Sequence, residues 1–154
     1  MTPIRDTSLP RPALIVGTLG VLPFIALAAQ NATGLPLGSG YTDTARQALL
    51  VYGAVVLSFV GGVQWGLAVA SADRSDAWRR FGFSALPSLL AFTGLWLGGR
   101  NGLIALASGL SVWCIYELWS TGLGEAPPWY GRLRFGLSVV AVACLVVAVA
   151  YGPR

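Results

Sequence analysis

Ser58-Phe59-Val60-Gly61-Gly62-Val63-Gln64-Trp65-Gly66 sets small and polar residues in the middle of an apolar stretch that runs from Gln47 to Ala70. At four-residue spacing, Ala54, Ser58, Gly62, Gly66 and Ala70 fall on one stripe of a helix, a small-xxx-small ridge that lets a neighbouring backbone approach closely. A stripe of this kind in an apolar helix belongs to membrane packing. Gln64 shares the adjoining face with Leu57, Gly61 and Ala68, so its amide can reach a neighbouring helix, and Trp65 stands beside it as pocket wall or groove filler.

Working outward, the rest of the chain has the same character. Of its 154 residues 55% are hydrophobic and 10% charged, where soluble domains carry about a quarter charged residues. Mean hydropathy is +0.69. Five apolar segments, Ala13 to Gln30, Gln47 to Ala70, Phe81 to Gly98, Gly102 to Trp119 and Leu133 to Tyr151, are each long enough to cross a hydrocarbon core of about 30 Å. The backbone must satisfy itself within lipid, so the segments are read as helices. The expected fold is a single all-α domain over 1–154, an integral membrane bundle of five transmembrane helices. Because Ala13 to Ala29 exceeds the roughly 7 to 15 apolar residues of a secretory signal, it is read as a retained span, although Ala26-Leu27-Ala28 resembles a cleavage site.

All ten basic residues are arginine. Seven of them, Arg5, Arg11, Arg74, Arg79, Arg80, Arg132 and Arg134, fall on the side of the N-terminus, and Arg46, Arg100 and Arg154 fall on the other. By the positive-inside rule the N-terminus is cytoplasmic and the C-terminus outside. The lipid bilayer is the expected partner, with other membrane proteins a further one. Nucleic acid is excluded by the few, divided charges. Oligomeric state is not encoded legibly.

Chemistry has few candidates. The sequence has no histidine, no Gly-rich phosphate loop, no nucleophile elbow and no carboxylate pair within a span, so no catalytic residue is assigned. Cys114 and Cys144 sit in separate apolar segments with no metal-ligand spacing, and neither metal nor cofactor is expected. Glu117 is the sole acidic side chain inside any of the five spans. An intramembrane carboxylate is costly and takes a partner, and Arg134 lies at similar depth if the fourth and fifth spans are antiparallel. The pair is read either as a structural ion pair or as a proton or ligand site. Before the fifth span, Pro128, Trp129, Tyr130, Arg132 and Arg134 read as an interfacial anchor, or as a charge-and-ring cluster for an anionic or planar ligand. Pro23 and Pro87 free carbonyls at Leu19 and Phe83, with Thr18, Ser84, Ser88 and Thr93 nearby as hydroxyl partners.

Ser58 to Gly66, Leu86-Pro87-Ser88, Pro23-Phe24 and Pro128-Trp129-Tyr130-Gly131-Arg132-Leu133-Arg134 together resemble the transmembrane protein 69 family, whose members share domain of unknown function 3429. The likeness covers nearly the whole chain in order. It implies a small multi-span inner-membrane protein and leaves the activity open. A shorter likeness, Trp129-Tyr130-Gly131-Arg132-Leu133, is similar to the Trp-Tyr-x-x-Leu loop of tryptophan-rich sensory proteins, although there the loop lies between the first two helices. Two expectations follow. The first is a non-enzymatic structural or accessory component of a membrane assembly in the bacterial inner membrane. The second is binding or transport of a small amphipathic or planar ligand, lipid or tetrapyrrole-like, in a pocket beside Gln64, Trp65 and Trp113, with Glu117 and Arg134 supplying charge.

Overall fold

Proline and glycine set several of the helix ends. In the computed structural model, which describes residues 8–70 and 77–152, α1 (Arg11–Thr33) follows Pro10 and carries Pro at its first turn, where a missing N–H costs nothing. Gly34 closes it at φ 73°, the left-handed conformation that terminates helices. A short 3-10 turn (Ser39–Tyr41) leads into α2 (Thr42–Ala70). Then come α3 (Ala77–Leu97), α4 (Gly99–Gly122) and α5 (Pro128–Tyr151), the last entered through Pro127 and Pro128.

Among the described residues, five α-helices and no strand match the expected all-α class. Caps rather than hydropathy stop the backbone, so most helices outrun the apolar segments. At α5 the extension takes in a motif. Pro128, Trp129, Tyr130, Gly131 and Arg132, read from the sequence as part of a link, form its first turns because proline is preorganised for that position. Among the described residues, four helices (α1, α2 with its preceding turn, α4 and α5) are long and apolar enough to cross a membrane. At 21 residues α3 is long enough, but Arg79, Arg80, Ser84, Ser88 and Thr93 dilute its hydropathy. Of the arginines counted for orientation, Arg5, Arg74 and Arg154 lie outside the described residues.

The helices form a ring in chain order. Each packs on the next, α5 closes on α1, and α2 also meets α4 across the middle. Leu49, Leu50 and Leu57 of α2 interlock there with Leu103, Leu106 and Leu110 of α4 and Leu145 of α5, all essentially without solvent contact. Each such side chain is felt by its neighbours, since interiors pack as densely as organic crystals.

The ridge of α2 is not where the four-residue stripe put it. Ala54 is buried and Ser58 shares a 2.8 Å hydrogen bond with Ser88, but Gly62, Gly66 and Ala70 are exposed. A Cβ at Gly62 or Gly66 would meet no atom within 4 Å. The close approach belongs to Gly61 instead, where a Cβ would come within 2.7 Å of the Ser84 carbonyl and 3.0 Å of the Pro87 ring. One residue is about 100° of helix rotation. Leu50, Leu57 and Gln64, all buried and seven residues apart, carry the true face, and Gly61 lies on it. Pro87, fully buried, fills the notch that Gly61 leaves, so the glycine makes a tight α2–α3 contact.

Candidate functional site

Glu117 has no exposed surface, and the sequence supplies its partners from the start of α5. Tyr130 donates its hydroxyl to Oε1 at 2.5 Å, and Arg134 donates Nε to Oε2 at 2.8 Å. Tyr130 and Arg134 are four residues apart, hence on one helix face. Gly131 lets that face come close: a Cβ there would lie 3.0 Å from the Thr121 side chain on α4. Thr121 in turn donates its hydroxyl to the Glu117 carbonyl at 2.8 Å. Both carboxylate oxygens thus have a charged or polar donor, the condition under which a buried ion is tolerated.

A second carboxylate closes the same end of the bundle. Glu125, in the turn after α4, accepts Ser120 Oγ–H on Oε2 at 2.5 Å, and its Oε1 lies 2.6 Å from Arg79 and 3.2 Å from Arg80. Arg79 also stands 5.5 Å from the Trp119 ring centroid, within cation–π range. Burial acts to raise the Glu125 carboxyl, but the Ser120 hydrogen bond and the two guanidinium groups outweigh it and hold the group below its ordinary value. Glu125 therefore ties α3 to the α4–α5 turn. Sequence reasoning used Arg79 and Arg80 for orientation only and gave Glu125 no partner. A carboxylate just past a helix with two arginines at the start of another is a weak signal, because only the fold brings them together.

The other candidate residues are dispersed. Gln64 is buried and its Nε2 has no hydrogen-bond partner among the described residues. Trp65 is about half exposed and packs edge-on against Phe81, with ring centroids 4.8 Å apart. Trp113 lies in the core, its ring centroid 4.8 Å from that of Tyr116 with the planes tilted by 32°. Two interhelical spaces open around α1 and α5, and none of these three residues lines either. Trp129 and Arg132 flank a broad groove of about 710 Å³ between α1 and α5 that is otherwise apolar save for Thr18. A smaller cavity of about 230 Å³ lies between α1, α2 and α5 and reaches Arg134. The expected hydroxyl partners find other acceptors: Thr18 bonds the Leu14 carbonyl, Thr93 that of Leu89, Ser84 that of Phe81, and Ser88 meets Ser58.

The family model described as "Protein of unknown function (DUF3429)" matches residues 9–150. This chain belongs to that family. Among curated relatives, Transmembrane protein 69 of Xenopus tropicalis is 35% identical over 141 residues, covering 89% of this chain and 53% of that protein. Transmembrane protein 69 of Mus musculus is 26% identical over 141 residues, covering 90% and 55%. The chain thus spans about half the length of these relatives. No solved structure matches. The DUF3429 match takes in the Glu117 and Glu125 junctions and all five helices, so membership concerns the bundle as a whole.

Proposed function

We propose that this membrane protein is a non-enzymatic structural or accessory component of a membrane assembly, placed in the bacterial inner membrane with its N-terminus cytoplasmic. All five helices, α3 included, span the bilayer in this reading, since α3 at about 1.5 Å per residue is as long as a hydrocarbon core is thick. The observation that carries the reading is the closure of the polar junction. The oxygens of Glu117 and Glu125 are taken up by Tyr130, Arg134, Ser120, Arg79 and Arg80, all from within the bundle. Acid–base work needs a group that can reach a reacting proton, and these carboxylates are committed to holding α3, α4 and α5 together.

Extraction of the native membrane into polymer nanodiscs, without detergent, tests the proposal. The expected result is migration well above the monomer with the same protein partners, in fixed stoichiometry, across two polymer chemistries. Migration as a lone monomer in both would contradict it.

A further inference from the structure

The cavity between α1, α2 and α5 has one polar edge, and that edge is unusual. Among the described residues, seven hydroxyl side chains of the helices, those of Thr18, Thr33, Thr42, Ser84, Thr93, Ser111 and Thr121, bond back to a carbonyl three or four residues earlier. Ser138 does not: it is 4% exposed, its Oγ has no hydrogen-bond partner among the described residues, and it lines the cavity. An unpaired buried hydroxyl is costly, so its persistence at a void calls for an occupant. One turn toward the start of α5, Arg134 forms the neighbouring wall, its charge already balanced by Glu117 at 2.8 Å. Tyr52, also in the wall, spends its O–H on the Gly20 carbonyl at 2.8 Å. The remaining surface is almost wholly apolar.

These features define the occupant's chemistry. The edge offers an O–H donor beside a neutralised guanidinium, so it fits a neutral acceptor oxygen better than an anion. Water is a poor occupant, because it needs two to four polar partners and about 230 Å³ is many times the roughly 30 Å³ share of one water molecule. Val16 and Phe59, which also line the cavity, are about 70% exposed on the lipid-facing side, so the opening faces the bilayer between α1 and α2.

We propose that this cavity binds a neutral, carbonyl-bearing ring compound dissolved in the bilayer, with a carbonyl oxygen accepting the Ser138 hydroxyl beside Arg134 and the ring body lying against Gly20, Phe24 and Ala141. The site is additional to the assembly role and stands or falls separately from it.

The test is equilibrium dialysis of the full chain in lipid nanodiscs against dimethylnaphthoquinone, with dimethylnaphthalene as the carbonyl-free probe of the same shape and empty nanodiscs subtracted. The expected result is saturable uptake of one quinone per chain, at least fivefold tighter than the hydrocarbon. Ser138→Ala should weaken the quinone about five- to tenfold, as loss of one hydrogen bond does, and leave the hydrocarbon unchanged. Gly20→Leu, where a Cβ has only the Tyr52 hydroxyl at 4.0 Å, should abolish binding while keeping the parental melt, and Ala141→Leu, from the buried opposite wall, should abolish it as well. No saturable uptake above empty nanodiscs would overturn the proposal. So would equal binding of both probes with Ser138→Ala silent, or unchanged binding in a folded space-filling variant.

Discussion

The α4–α5 junction and the α1 seam meet at Arg134 on the same α5 helix and are built by opposite rules. At the junction every carboxylate oxygen has a donor, and Gly131 brings the backbones close enough for Tyr130 and Arg134 to reach Glu117. At the seam, Gly17 takes the tip of Leu137 and Gly20 faces Tyr52, yet a cavity stays open and Ser138 is left without a partner. Polar groups fix the first contact, and loosely fitted apolar surfaces make the second. Glycine allows close approach in both, so it is the polar partners that distinguish a lock from a cleft.

The largest expected effect breaks the lock. Glu117→Ala leaves Arg134 and Tyr130 buried without their acceptor and should cost about 3 to 5 kcal/mol in a reversible unfolding measurement in detergent micelles. Gly61→Leu should cost about 3 kcal/mol, at the upper end of overpacking, because the obstacle is the Ser84 backbone and the Pro87 ring. Gly62→Leu, one residue on, should change stability by less than about 0.5 kcal/mol. If the two glycines behave alike, the assignment of the packing face is wrong.

An acid titration separates the two ends of the junction. The Glu125 carboxyl is held below its ordinary value of 4.5, so it stabilises the fold above that pH, and the contribution is lost as pH falls through its lower folded value. Melting temperature should drop below about pH 4.5 in the parent protein, and part of that drop should vanish in Glu125→Gln. The smallest effect belongs to the seam. Ser138→Ala removes an unpaired hydroxyl and should leave the empty protein within about 1 kcal/mol of the parent, on the stabilising side.

What could be read in the sequence follows from what is local. Apolar runs longer than a bilayer's thickness announce the helices, and a lone acidic residue at the depth of an arginine is visible without coordinates. The face of α2 is less so. Gly61 and Gly62 are chemically identical, and four-residue counting from Ala54 selects Gly62, whereas the seven-residue spacing of Leu50, Leu57 and Gln64 selects Gly61. The Glu125 clasp spans 46 residues to Arg79, a separation no local pattern records. The α1 cavity is legible least of all, because it is the space between side chains that each look ordinary.

The measurement closest to the central claim is a double-mutant cycle on Glu117 and Arg134, read as unfolding free energy. If the pair is a lock, Glu117→Ala and Arg134→Ala each destabilise strongly and the double variant is milder than their sum by roughly 1 to 3 kcal/mol. Additive losses, with no coupling between the two positions, would contradict the account.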